Sequence, residues 1–309
     1  MFMTRTTSTP SHRRGILPAL VTLAAAGGAT ALAIQLYRRP EEIAANAARA
    51  GLLLAGVRED TLRVGGPDDL PIHYYCSGRR GTPIVMIHGL GGSAATWSQL
   101  MLRLSKEYLV YAPDMPGFGR TPIAPEGVNI GTHVLYLKRF LDALGFPRVT
   151  LVGNSLGGWI ATRFAATYPE NVERLYLLNS AGLRREGTNS PYAVDRNAAK
   201  RSVKNMFGYS LPLPGFVLDA MVRQSQSPAY RDFIMNYDEQ EELDSILGDV
   251  QAPTTVIWGV QDNVFPITCA HELHEGIANS TLVLLHGVGH FPQIQASARV
   301  ARIIMQDRM

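Results

Sequence analysis

The chain has 309 residues, of which 46% are hydrophobic and 18% charged, with a formal net charge of +3. That length admits one large domain or two small ones, and that composition can bury a core. So small a charge, with no basic stripe interleaved with aromatics, excludes nucleic acid as a partner.

The first fourteen residues form a short basic tail with no packing pattern. Residues 15–37 then run for 23 positions without a charged side chain, between Arg13-Arg14 and Arg38-Arg39. As a helix, this run can cross a bilayer. A core helix of an ordinary domain would show a polar face, and this run has none. Two expectations follow. One is a single-pass transmembrane anchor, with a cytoplasmic tail and the following domain on the outer, periplasmic or extracytoplasmic, side. The other is an export signal removed by cleavage. Ala29-Thr30-Ala31 and Ala31-Leu32-Ala33 both offer small-residue cleavage sites, and Ser11 to Leu17 loosely matches a twin-arginine pattern. Residues 38–56 are rich in alanine and read as a helical linker.

Beyond the linker, strand and helix patterns alternate, which predicts a mostly parallel sheet. The expected strands are Thr61–Val64, Ile72–Cys76, Ile84–Ile87, Leu109–Ala112, Val149–Val152, Leu175–Leu178, Thr254–Trp258 and Thr281–Leu285. They are short apolar runs, as strands buried on both faces are. The helical runs are Ala94–Leu104, Ile130–Leu144, Ser155–Tyr168, Ile267–Ile277 and Ala296–Met305. About seventy residues between Asn179 and Ala252 carry no buried strand pattern. A structureless loop of that length is improbable in a compact domain, so a helical cap is expected there.

The chemistry begins at Gly153-Asn154-Ser155-Leu156-Gly157, a G-x-S-x-G pattern between a strand run and a helix run. A nucleophile on so tight a turn needs small neighbours, and the start of the next helix favours developing negative charge. A serine hydroxyl needs a base, and the base an orienting acid. His290 follows the last strand on a glycine-flanked loop and is preferred over His286. Asp262 follows a buried strand and a glycine, at the sheet edge where ligand groups gather. The corresponding place after the preceding strand, Leu178-Asn179-Ser180-Ala181-Gly182, offers no carboxylate. Oxyanion donors are expected from the backbone N–H groups of Leu156 and of Leu90, in His88-Gly89-Leu90-Gly91-Gly92.

Other motifs are set aside. Asp114, in Asp114-Met115-Pro116-Gly117-Phe118-Gly119, reads as a structural residue satisfying N–H groups of its own turn. His271-Glu272-Leu273-His274 departs from the H-E-x-x-H zinc pattern, so no metal is expected. Cys76 and Cys269 are too few for a disulfide framework and read as small buried residues.

Taken together, His88-Gly89, Asp114 to Gly119, Gly153 to Gly157, Asp262 and His290 resemble the α/β-hydrolase superfamily over roughly residues 69–304. The serine esterase and lipase branch is the most similar, including bacterial lipases and membrane-bound monoacylglycerol lipases. Dehalogenases and epoxide hydrolases use an Asp nucleophile, against which Ser155 argues.

The resemblance implies an eight-stranded, mostly parallel α/β sheet of the α/β-hydrolase type, with an inserted helical cap and an N-terminal hydrophobic helix. The hydrolase domain is expected over residues 57–309 and the cap at about 183–250. The implied activity is cleavage of carboxylic esters, lipid or short acyl, by a membrane-associated enzyme with a catalytic triad of Ser155, Asp262 and His290. No metal or organic cofactor is needed. The alternatives are hydrolysis of a carbon–carbon bond in a ring-fission product, where a Trp usually follows the catalytic His and here stands Phe291, and a non-catalytic binding module on the same scaffold.

Overall fold

A computed structural model describes residues 40–65, 69–184 and 193–307. The chain divides into two compact units, residues 1–48 and 49–309. Of the first, only the start of a helix, α1 (Pro40–Leu54), lies among the described residues. No helix among the described residues is long and apolar enough to cross a membrane. The longest, α1, has 15 residues and carries Glu41, Glu42 and Arg49. It would span about 22 Å against the about 30 Å of a hydrocarbon core. This corrects the expectation of a single-pass membrane protein with an outward-facing domain. Residues 15–37, on which that expectation rested, lie outside the described residues.

In the second unit, eight strands form one sheet in the order β1-β2-β4-β3-β5-β6-β7-β8. Their ranges are β1 Arg58–Val64, β2 Leu70–Ser77, β3 Pro83–Ile87, β4 Leu109–Pro113, β5 Val149–Asn154, β6 Val172–Leu178, β7 Thr254–Gly259 and β8 Ser280–Leu285. Each contains an expected run. Strand β2 pairs antiparallel with both β1 and β4, and every other pairing is parallel.

Helices α2 (Ser98–Leu104), α3 (Ile130–Ala143) and α4 (Leu156–Thr167) follow β3, β4 and β5. The period-two alternation of a strand sends Val85 and Ile87 to one sheet face, Ile84 and Met86 to the other, each into its own core. Asn129 starts α3 by accepting the Thr132 N–H at 2.7 Å. The chain leaves β3 for β4 on one side and returns to β5 on the other. The loops after β3 and β5 therefore part at the carboxyl edge, which opens a crevice there.

Among its described residues, the long interval is helical. It holds α5 (Arg196–Phe207), α6 (Gly215–Ser225) and α7 (Pro228–Met235). Asp195 caps α5 by accepting the Ala198 N–H at 2.7 Å, and Gly208, at φ +81°, ends it in the left-handed region. A small core of Ala193, Ala198, Ala199 and Leu218 joins α5 to α6. After β7 come α8 (Thr268–Gly276), β8, and then α9 (Pro292–Gln295) and α10 (Ser297–Gln306).

Candidate active site

Strand β5 ends at Asn154 and α4 begins at Leu156, so a single residue makes the turn. That residue is Ser155, at φ +55° and ψ −122°. A non-glycine residue rarely adopts such a conformation, and strain of this kind persists only where the surroundings enforce it. The enforcement is close packing. A Cβ on Gly157 would lie 1.9 Å from the Ile87 carbonyl oxygen, and one on Gly153 would lie 2.3 Å from the Gly157 carbonyl oxygen. Only glycine lets the elbow approach β3 this closely. Leu156 is the first residue of its helix, a position whose N–H has no partner within the helix.

The loops after β7 and β8 bring Asp262 and His290 together. His290 Nδ1 lies 2.7 Å from Asp262 Oδ2, and both side chains are almost fully buried. A carboxylate oxygen only accepts, so Nδ1 is the donor, the tautomer whose neutral ring offers its lone pair at Nε2. Asp262 is fixed by three further donors. Val264 N and Phe265 N reach Oδ1 at 2.7 and 3.3 Å, and Asn179 Nδ2 reaches Oδ2 at 2.7 Å. Asn179 sits at φ +43° and accepts the Gly259 N–H at 2.9 Å, which ties the end of β6 to the end of β7.

Asn154 performs the matching task for the base. Its Nδ2 donates to the carbonyls of His290 and Leu178, both at 2.9 Å, and its Oδ1 accepts from Gln293 Nε2 at 2.9 Å. Asn179, Asn154 and Gln293 were not singled out from the sequence as site residues. Asn154 stands inside the elbow motif and Asn179 at the end of a predicted strand, so position gave a signal for both. Gln293 gave none.

Ser155, His290, Leu156 and Leu90 all border one cavity of about 270 Å³. The structure thus gathers the expected nucleophile, base and oxyanion donors around a single space, with Asp262 behind His290. Trp159, Leu183, Phe233, Ile234 and Tyr237 supply apolar wall, as do Met206, Phe265 and Phe291. Among the described residues lining the cavity, none is Lys, Arg, Asp or Glu.

His88 anchors the loop that carries Leu90. Its Nδ1 donates to the Gly89 carbonyl at 2.8 Å, and its Nε2 accepts the Met115 N–H at 3.0 Å. Only a neutral imidazole fills both roles, and burial indeed holds His88 below the ordinary histidine value. Asp114 lies next door, and its contacts extend well beyond its own turn. It accepts from Ala94 N at 2.6 Å and Arg120 N at 2.9 Å, and its Oδ2 lies 2.8 Å from His73 Nδ1. Burial alone would raise the Asp114 carboxyl, but His73, His88 and these N–H groups hold it below the usual carboxylate value.

The competing motifs stand apart from the cavity. His286 is exposed, and His274 Nδ1 lies 2.8 Å from Ser280 Oγ. Cys76 and Cys269 are buried and unbridged.

A family model of the alpha/beta hydrolase fold matches residues 82–210. The chain is 30% identical over 243 residues to the 2-hydroxy-6-oxo-2,4-heptadienoate hydrolase of Pseudomonas putida, covering 72% of this chain and 88% of that one. It is likewise 30% identical over 242 residues to the 2-hydroxymuconate semialdehyde hydrolase of a Pseudomonas species, covering 72% and 86%. A crystal structure of a membrane phospholipase A, described as a novel bacterial virulence factor, superposes with a TM-score of 0.79 at 26% identity, over 95% of this chain and 97% of that one. With a relative of this identity matched over most of its length, and the family model running from β3 into the cap, this chain belongs to the α/β-hydrolase fold family and is a hydrolase.

Proposed function

We propose that this hydrolase cleaves uncharged carboxylic esters through an acyl-enzyme, with Ser155 as nucleophile, His290 as base and Asp262 as orienting acid. The observation that carries the reading is the Asp262–His290 pair at 2.7 Å, whose imidazole borders the same apolar cavity as a serine held on a strained elbow.

Ser155 Oγ attacks the ester carbonyl while His290 Nε2 takes its proton. The charged imidazolium is stabilised by Asp262, whose carboxylate is itself held by Asn179, Val264 and Phe265. The tetrahedral oxyanion is held by the N–H groups of Leu156 and Leu90. His290 returns the proton to the leaving alcohol, and the ester C–O bond breaks. Water, activated by the same imidazole, then releases the acid and restores Ser155.

The cavity points to the substrate. An apolar cavity of about 150 Å³ takes one benzene, so 270 Å³ holds about ten carbon atoms. That suits a short acyl ester outright. A longer lipid ester, the other substrate in view, would extend through the mouth.

Carbon–carbon bond hydrolysis by the same residues is the second reading, favoured by the names of the two relatives at 30% identity. The substrates in those names are carboxylate anions. An anion entering an apolar cavity loses its hydration and needs a cation in exchange. No Lys or Arg lines this one among the described residues, so the ester reading ranks first.

The test is turnover of p-nitrophenyl butyrate and of a vinylogous 1,5-diketone acid, side by side, by the parent and by Ser155→Ala. The reading requires ester turnover that exceeds diketone turnover and collapses in the variant. Preference for the diketone acid would replace it with the second reading.

A further inference from the structure

The carbonyls of a helix's last turn have no partner within the helix. In α5, two consecutive carbonyls of that turn are taken up by the loops that carry the acid and the base, and the next by Gln295 at the end of α9. Asn205 O accepts the N–H of Asn263, the residue after Asp262, at 3.0 Å. Met206 O accepts the N–H of His290 itself at 2.6 Å. Phe207 O accepts from Gln295 Nε2 at 3.1 Å, and Gln295 Oε1 in turn accepts the Gly289 N–H at 3.1 Å. The fit leaves no slack, since a Cβ on Gly289 would lie 2.4 Å from Met206 O.

We infer that the C-terminal turn of α5 is a positioning element of the catalytic framework, holding the Asp262 and His290 loops in mutual register, with Gln295 as its side-chain clasp. The inference rests on the proposed triad and goes beyond it, because it assigns a catalytic duty to the cap. The usual duty of a cap is to cover substrate. Here, lifting α5 away would strip the buried His290 N–H of its acceptor and leave unpaired polar groups in the interior. Met206 adds a link to substrate. It lines the cavity, and its carbonyl holds the main-chain N–H of the base.

Gln295 is the handle for a test, because it does not line the cavity. In the full chain, Gln295→Met keeps the length of the side chain and removes both bonds. Turnover is measured per active site titrated with a fluorophosphonate, so that loss of folded protein does not enter the result. The expected result is a fall in kcat of about 10- to 100-fold, the size of effect that a misplacement of about 1 Å produces, with KM within about twofold. Should Gln295→Met not fold by circular dichroism, Gln295→Glu carries the same test, since it keeps the acceptor for Gly289 and replaces the donor to Phe207 with a carboxylate oxygen that the Phe207 carbonyl repels.

A kcat within about twofold of the parent overturns the inference. So does a rise in KM at unchanged kcat, which would mean that the cap only covers substrate. Ser155→Ala, assayed in parallel, separates the two levels. If that variant keeps its activity, the triad reading fails whatever Gln295 does. If activity depends on Ser155 and survives Gln295→Met, only the role of α5 fails.

Discussion

The side-chain amide of Asn154 donates to the main-chain carbonyl of His290 at 2.9 Å, so the residue before the proposed nucleophile directly holds the proposed base. The two lie 136 positions apart in the chain. Asn154→Ala would leave the carbonyls of His290 and Leu178 without this donor in a buried setting. The expected cost is about 1–3 kcal/mol of stability, with turnover falling about 10- to 100-fold as His290 loosens. Thermal melting and ester hydrolysis on the same preparation check both numbers.

Asp262→Asn removes the charge beside His290 and leaves the size of the side chain unchanged. An amide in that place turns either its oxygen or its NH2 group towards His290 Nδ1 and Asn179 Nδ2, and it carries no charge to balance an imidazolium. Loss of about 10⁴-fold in kcat is expected, with the protein still folded. The measurement is kcat under saturating p-nitrophenyl butyrate, set beside a circular dichroism spectrum.

Ile234 lines the cavity and is 52% exposed, so a larger side chain there costs little stability. Ile234→Trp should narrow the space for the acyl chain. Each methylene excluded from an apolar pocket is worth about 1–3 kcal/mol, so kcat/KM for hexanoate and octanoate esters should fall at least about tenfold while acetate esters change little. A profile over acyl length reads this directly. An equal change at all lengths would place Ile234 outside the acyl path.

His133 is fully buried, and burial lowers its pKa to about 4 from the ordinary value of 6.5. It stays neutral in the folded chain down to that pH, with Nε2 donating to the Pro116 carbonyl at 3.1 Å. The unfolded chain binds its proton at about pH 6.5, so unfolding takes up a proton between these values and stability rises with pH across them. Acidification from about pH 6.5 to about pH 4 should therefore remove about 3 kcal/mol through this residue. In His133→Gln the dependence of urea midpoints on pH across that window should flatten, whatever happens to the absolute stability. An unchanged slope would contradict the assignment.

The sheet was legible because its strands are short apolar runs buried on both faces, and all eight expected runs fall inside observed strands. The elbow was legible for a steric reason, since the glycines that mark it are the ones whose Cβ would collide with neighbouring backbone. Amide side chains were not legible in their roles. Asn179, Gln293 and Gln295 look like loop polar residues, and their partners Asp262, Asn154 and Phe207 lie 83, 139 and 88 positions away. The cap was inferred from its length alone. Which of its side chains face the cavity depends on how α5 and α7 sit over the sheet edge, and no local periodicity encodes that. The charge-free run at residues 15–37 was read as an anchor or signal from composition, and it lies outside the described residues.

Ester cleavage at this cavity depends on Ser155 as the nucleophile. The most direct measurement is the intact mass and peptide map of the folded protein after reaction with a fluorophosphonate. One adduct per chain on the peptide carrying Ser155, absent in Ser155→Ala and slowed in His290→Gln, is the predicted result. An unlabelled protein that nevertheless hydrolyses esters, or an adduct on another residue that tracks the activity, would contradict it.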